Sequence, residues 1–421
     1  MGKVVLAIFA AIMMVLGTIA LAVPGSAAPP DQSQAGRILV KFRDNGAAAD
    51  ILRRYGLGEG AEIGGTGTRE IPVSASRESQ LIAALSNNPA VEYAEPDHVV
   101  YAASADPLFD YQYALKNVGQ SFPNNNPDYP INVPGGTPDA DVDADEAWNV
   151  TTGIGLKVAI LDSGVDGNHE DISPKVVARA NFSSSSTRTG DVIAEDYYGH
   201  GTHVAGIVAA TANNSRGVAG VCPGCTILAG KVLNDSGVGT SSSVANGINW
   251  AVSNGAKVIN MSLGAQASRT LEAAVNKAWS KGVVLVAAAG NGGNQARIYP
   301  GAYSNVIAVG ATDNNDAKAA FSTYGSSWVD IAAPGVNVYS TFPNHPYALA
   351  GPNNRALSYD VGSGTSMSSP IVAAVAALVW SSHPGATAAS VREKVESSGE
   401  VKSGMETFWA HGRVNAYHAV E

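Results

Sequence analysis

Lys157-Val158-Ala159-Ile160-Leu161-Asp162-Ser163-Gly164 decides how the rest of the chain is read. A continuous apolar run of strand length, closed by a carboxylate and a Ser-Gly turn, suits a strand buried on both faces. Comparable runs follow at Thr226–Val232, Lys257–Met261, Val283–Ala288, Val306–Ala311 and Val329–Ala333. Helical patterns occupy His200–Ala212, Ser241–Asn254, Thr270–Lys281, Ser366–Trp380 and Thr387–Ser397. This alternation predicts an α/β protein with a mainly parallel central sheet flanked by helices. Ligands of such sheets bind beyond the carboxyl ends of the strands, and Asp162 sits at one of them.

Composition narrows the function classes. The chain has 421 residues, of which 45% are hydrophobic and 15% charged, with a net charge of −10. Low charge with 46 Gly excludes a coiled coil and a charged disordered chain. The acidic balance makes a poor nucleic-acid binder, because phosphate contacts need clustered Lys and Arg. Two cysteines cannot build a disulfide framework. A globular enzyme of two or three units is expected.

The N-terminus has a signal-peptide layout. Met1-Gly2-Lys3 is followed by an uncharged apolar run, Val4 to Ala22, and by small residues at Ala20-Leu21-Ala22 and Gly25-Ser26-Ala27-Ala28. Residues 1–28 read as a cleaved secretory signal, with the cut between 22 and 28. An uncleaved membrane anchor is the alternative, since about 18 apolar residues can span a bilayer. The expected product is secreted, with no membrane association after signal removal.

Gly36–Tyr101 reads as a small α+β unit. Its strands are Ile38–Phe42, Glu70–Val73 and Val91–Glu95, and its helices Ala48–Tyr55 and Arg77–Leu85. Ala102-Ala103-Ser104-Ala105 is a small-residue joint, and Gln120–Pro138 a loop rich in Asn, Pro and Gly. The run Asp139-Ala140-Asp141-Val142-Asp143-Ala144-Asp145 reads as solvated acid before a helix, with calcium ligation as the other reading.

Three motifs carry chemistry. Asp162 is placed to be half-buried and to hold a base, or it is a turn residue bonding its own backbone. Gly199-His200-Gly201-Thr202-His203-Val204-Ala205-Gly206 opens a helix with glycines that admit a partner close to His200. It lacks the Glu and the i+4 His of a zinc-protease helix. In Gly362-Ser363-Gly364-Thr365-Ser366-Met367-Ser368-Ser369-Pro370, Ser366 stands at a helix N-terminus, where N–H groups favour developing negative charge. An ordinary N-cap serine is the bland reading. The α/β-hydrolase elbow fails, because Ser368 stands where it needs glycine.

Taken in the order Asp…His…Ser, these segments resemble subtilisin-like serine peptidases. Tyr198–Gly206, Ala287–Gly292, Phe321–Gly325 and Gly412–Ala416 are similar to the thermitase branch. The resemblance covers roughly Asp106 to Glu421, and implies a three-layer subtilisin-like peptidase domain over 106–421. Gly36–Tyr101 resembles the inhibitory and chaperone propeptide of that family, especially in Ile38–Phe42 and in Val91–Asp97 with its Tyr93-Ala94-Glu95-Pro96-Asp97. The resemblance implies a secreted serine endopeptidase made as a zymogen.

The roles it implies are specific. Ser366 is the nucleophile, His200 its general base and acid, and Asp162 the partner that orients His200. Asn291 is the side-chain donor to the oxyanion, beside the N–H of Ser366. Substrate lies as an added strand between Ser262-Leu263-Gly264 and Gly237-Val238-Gly239. Ala288 and Gly290 line the pocket for the residue before the cut, and Ile298 is its floor, which suits apolar side chains. Ala265 stands where the family often has glycine. Structural calcium is implied at Asp106, Asp171, Thr211, Asn214, Arg216 and Val218, several through carbonyls. A weaker site is implied at the carbonyls of Gly301, Tyr303 and Val306. No organic cofactor is expected.

The resemblance also implies a cis Tyr299-Pro300 bond and self-cleavage between Tyr101 and Asp106. Val204 replaces the cysteine found beside the catalytic His in thermitase-like enzymes, which questions their thiol sensitivity. Cys222-Pro223-Gly224-Cys225 mimics a redox motif, but secretion favours a local disulfide. The expected partners are protein and peptide substrates and the chain's own propeptide, and the enzyme is expected to be a monomer. A non-catalytic binding protein would need a damaged triad. A membrane-held processing enzyme would need an uncleaved N-terminus and an acid-lined cleft.

Overall fold

Val158 and Ile160 join one hydrophobic core, and Ala159 and Leu161 join another, so a single strand divides the interior into two layers. The alternation follows from the period of two along any strand. The computed structural model describes residues 33–74, 77–98, 106–183 and 194–421. The segment read as a signal peptide and the joint Ala102–Ala105 lie outside the described residues. Two units are present, Met1–Val100 and Tyr101–Glu421.

The first unit holds β1 (Ser33–Phe42), α1 (Ala48–Arg54), β2 (Ala61–Glu62), β3 (Thr68–Pro72), α2 (Glu78–Ser86) and β4 (Val91–His98). Its antiparallel sheet runs β2-β3-β1-β4. Ile38, Val40 and Phe42, alternate residues of β1, bury one face against Ile51 and Leu52 of α1 and Leu81 and Leu85 of α2. Strand β2 was not anticipated, since both its residues are exposed and carry no apolar signal.

The second unit begins with β5 (Phe122–Pro123), β6 (Asn132–Val133), α3 (Ala144–Ala147), β7 (Lys157–Asp162), β8 (Val176–Asn181), α4 (His200–Ala209) and β9 (Thr226–Lys231). It continues with α5 (Ser241–Ser253), β10 (Val258–Met261), α6 (Arg269–Ser280), β11 (Val284–Ala288), β12 (Ile307–Thr312) and β13 (Ile331–Pro334). It ends with β14 (Val338–Thr341), α7 (Ala350–Asn353), β15 (Tyr359–Gly362), α8 (Thr365–Ser382), α9 (Ala388–Ser397) and α10 (Ala416–Val420). The seven-stranded sheet runs β13-β12-β11-β10-β7-β9-β8, and its pairings are parallel. Helices α4 and α8 belong to the core on one face and α5 and α6 to that on the other. This is an α/β fold whose parallel sheet is covered by helices on both faces.

Helix α8 is buried almost all round, which is why its sequence shows no polar stripe. Among the described helices it alone is long and apolar enough to cross a membrane, but 83% of it is buried, as in a core helix. Helices α5 and α9 start where capping boxes place them, Thr240 with Ser243 and Thr387 with Ser390.

Several boundaries and loops depart from the sequence reading. Helix α4 ends at Ala209 rather than Ala212, because Ala210 turns to extended geometry and Thr211 bonds the Asp171 carbonyl. Strand β13 starts at Ile331 rather than Val329. The edge strand β8 and the antiparallel pair β14-β15 were not anticipated; β8 is mixed in polarity and mostly half-exposed. The loop Gln120–Pro138 contains the β5-β6 pair, anchored by buried Phe122 among the rings of Tyr111, Tyr113 and Tyr339. The aspartate run is not simply solvated. Asp141 is buried and accepts the N–H groups of Asn117 and Asp143, Asp143 accepts from Asn415, and Asp145 pairs with Lys116.

Candidate active site

The carboxyl edge of the sheet gathers the candidate residues from separate elements. Asp162 ends β7 and is fully buried. Its Oδ1 accepts from the Ser163 N–H at 2.7 Å and lies 2.8 Å from His200 Nδ1. His200 is the first residue of α4, held there by Asp196. The Asp196 carboxylate accepts the N–H groups of Tyr198, Gly199 and Thr202 and the hydroxyls of Ser163 and Thr202. Burial works against a charged His200, but the adjacent Asp162 charge and hydrogen bond, with Asp196, outweigh it and raise its pKa above the ordinary 6.5. His203, one turn on, is fully buried; burial above all, with the charges of His200 and Arg355, pushes it down to about 3.

Ser366 lies in the first turn of α8. A polar chain fixes that turn to β10: Ser369 donates to Asn260, Asn260 to the Ser262 hydroxyl at 3.0 Å, and that hydroxyl to the Ser366 carbonyl at 2.8 Å. The Ser366 hydroxyl donates to the Ser262 carbonyl at 3.3 Å rather than to His200. Catalytic hydrogen bonds of this kind tighten once substrate is in place.

Asn291 follows β11 and faces the same turn. Its Oδ1 accepts from Thr365 N at 2.9 Å and Thr365 Oγ1 at 3.0 Å, while Thr365 Oγ1 accepts the Gly290 N–H at 3.0 Å. Holding Oδ1 this way leaves Nδ2 as the free donor. Gly364 admits the approach: its φ is +151°, and a Cβ there would sit 3.2 Å from Asn291 Nδ2. Thr365 and Asp196 were missed in the sequence. The first hides inside the serine motif, and the second precedes the histidine motif without a spacing rule to flag it.

A cleft of about 800 Å³ borders His200, Asn291 and Ser366. Gly237, Val238 and Gly239 line it, as do Ser262, Leu263 and Gly264, with Ala288, Gly290 and Ile298 also at its wall. A Cβ on Gly264 would come within 2.7 Å of the Ile298 side chain. The lining holds no Asp, Glu, Lys or Arg among the described residues.

The residues named for calcium also converge. The Asp171 carboxylate is buried and receives Asn214 Nδ2 at 2.6 Å and the Val218 N–H at 3.0 Å, while its carbonyl accepts from Thr211. Asp106 accepts the N–H groups of Asn213 and Asn214. Arg216 donates its N–H to the Asn214 side chain and reaches Glu170 rather than either aspartate. Burial pushes the Asp171 carboxyl up, and among the described residues no cationic side chain forms an ion pair with it. Two carboxylates brought beside an amide and the backbone of the 211–218 loop fit a hard cation. Gly301, Tyr303 and Val306 lie in one turn after a cis Tyr299–Pro300 bond, with the Tyr303 carbonyl accepting from Val306 N–H. Asp166, Glu195 and His345 form a separate cluster that the sequence did not suggest. Cys222 and Cys225 are joined in a disulfide.

Residues 153–408 match the Subtilase family, and residues 27–97 match the Fervidolysin N-terminal prodomain. The chain is 49% identical over 283 residues to Thermitase of Thermoactinomyces vulgaris, spanning 66% of this chain and 94% of that protein. It is 41% identical over 345 residues to the Thermophilic serine proteinase of Bacillus sp. (strain AK1), spanning 81% and 75%. A solved structure among the proteases from Pseudoalteromonas arctica superposes with a TM-score of 0.63 at 30% identity, over 76% of this chain and 99% of that one. The family match covers more than half of the chain, and the chain therefore belongs to the subtilase family, as a serine protease with an N-terminal prodomain.

Proposed function

We propose that this protease is a secreted endopeptidase, made as a zymogen, that cuts after apolar residues. The observation that carries the mechanism is the 2.8 Å Asp162–His200 pair beside Ser366 and Asn291 at the mouth of one cleft. An extended peptide adds a strand between Gly237–Gly239 and Ser262–Gly264 and is read through its main chain. The side chain before the cut enters the uncharged pocket at Ala288, Gly290 and Ile298.

His200 takes the Ser366 proton as Oγ attacks the peptide carbonyl. Asp162 accepts from Nδ1, so Nε2 is left as the base, and its charge stabilises the imidazolium. Negative charge on the former carbonyl oxygen meets Asn291 Nδ2 and the Ser366 N–H at the start of α8. The imidazolium then protonates the leaving amine, and water repeats the sequence on the acyl group. Asp106, Asp171, Thr211, Asn214, Arg216 and Val218 would hold calcium, which supplies positive charge to the buried Asp171. Gly301, Tyr303 and Val306 would hold a weaker ion through their carbonyls.

The prodomain, Gly36–Tyr101, is the intramolecular inhibitor, and the joint before Asp106 is the site of self-cleavage. Ser366→Ala tests both readings in a protease-free host. Peptide hydrolysis should fall on the order of 10⁶-fold, the loss known for a subtilisin nucleophile, and uncut precursor should accumulate. Near-parent turnover, or trimming of the mutant at the same joint, would sink the corresponding claim.

A further inference from the structure

The active-site cleft has a second arm. A cavity of about 380 Å³ shares Tyr198, His200, Asn291 and Ser366 with the cleft but is otherwise walled by residues such as Phe342, Met367 and Arg355. A peptide bond held at Ser366 sends its acyl half one way and its amine half the other. The inference rests on the reading above that the cleft at Ala288–Gly290 takes the acyl half. This second arm then takes the residues after the cut.

Arg355 brings to that arm a guanidinium with no ion pair among the described residues. It follows α7 on the segment between β14 and β15, and neighbouring bonds pin the segment. Arg355 N–H donates to the Ala350 carbonyl, and the Tyr347 hydroxyl to the Ala356 carbonyl at 2.7 Å. Among the described residues no carboxylate lies within ion-pair distance of the guanidinium, and its Nη1 is sealed from solvent without an acceptor. Asp360, whose charge opposes that of Arg355 at Tyr347, spends its oxygens on the N–H groups of Asn125, Ala356 and Val361. His203, on the same wall, is held neutral and adds no rival cation.

A planar guanidinium without an internal partner is matched by a carboxylate, which it binds through charge-assisted N–H bonds. We propose that Arg355 is a specificity determinant that recognises a carboxylate just after the scissile bond. The source is an Asp or Glu side chain of the substrate or the terminal carboxylate of a short leaving fragment.

Internally quenched peptides with one cleavable bond separate the sources. One set carries Glu or Gln at the first or second position after the cut, with an amidated end. The other set is neutral in sequence and ends there in a free or amidated carboxyl. The expected result is about ten-fold higher kcat/KM for Glu over Gln, or for the free over the amidated end, which corresponds to about 1.4 kcal/mol. Arg355→Met should erase that ratio, and Arg355→Lys should keep part of it. Peptides cut at ordinary rates with neither ratio above about two-fold in the parent would overturn the proposal without any variant being needed. A ratio that survives in a folded Arg355→Met would overturn it too. If no peptide is cut at all, the endopeptidase reading fails and the proposal with it.

Discussion

Thr365→Val removes one hydroxyl and leaves volume and backbone unchanged. In the parent, Thr365 holds Asn291 Oδ1 by two donors at 2.9 and 3.0 Å, and its Oγ1 accepts from Gly290 N–H at 3.0 Å. Valine keeps the N–H tether and loses the other two bonds. The unpaired Gly290 donor should cost about 1–3 kcal/mol of stability. The side-chain oxyanion donor of a subtilisin is worth about 2.7–4 kcal/mol, which sets the ceiling for catalysis. With one tether of two remaining, the expected loss is about 1–1.4 kcal/mol, a five- to ten-fold fall in kcat. KM should hold, because the charge that Asn291 is proposed to meet exists only in the transition state. Steady-state hydrolysis of an apolar chromogenic peptide reads both constants. The decisive comparison repeats the substitution in Asn291→Ala, where it should cost no further kcat. A fall by the same factor there would show that Thr365 does not act through Asn291.

Other outcomes turn on the charges of the site and on the ion loop. His200 must be neutral to act as a base, and its pKa is raised, so the acid limb of kcat/KM should lie above pH 6.5. Asp162→Asn should move that limb down and lower kcat by about 10⁴, and a limb that stays in place counts against the assignment. The same shift makes His200 contribute stability at low pH that is lost as pH rises through the raised value, opposite in direction to activity. Chelation should lower the melting temperature; an ion at 100 times its Kd adds about 2.7 kcal/mol. Asp171→Asn should melt like the chelated parent and ignore added calcium, as followed by calorimetry.

The seven-stranded sheet was legible where strands are buried on both faces. Val158–Leu161 and Val284–Ala288 are continuous apolar runs because helices cover them on both sides. Val176–Asn181 was not legible, since an edge strand needs no such run, and Tyr359–Gly362 is too short to show a period. Asp162, His200 and Ser366 stood out because each sits between a regular element and a glycine turn. Arg355 did not, as its role depends on a cavity that assembles from residues distant in sequence. Asp141 read as solvent-facing because a run of alternating acids has no apolar signal. Only the fold shows that Asn117 and Asp143 use its carboxylate as a buried anchor.

Helix α4 ties the proposed base to the proposed ion loop. It has ten residues, about 15 Å of nearly rigid rod, with His200 at one tip and Thr211 two residues beyond the other. Asp196 grips the first tip, and the Asp171 carbonyl catches the chain just past the second. Loosening the loop therefore frees one end of the lever on which the imidazole is mounted, while the sheet and α8 stay packed. With an ion held there as proposed, thermal wear is expected to begin as misalignment: turnover fades while the protein is still folded, and the early stage reverses when the ion returns. Resistance to heat and precision of proton transfer are then the same mechanical property, measured at opposite ends of one helix.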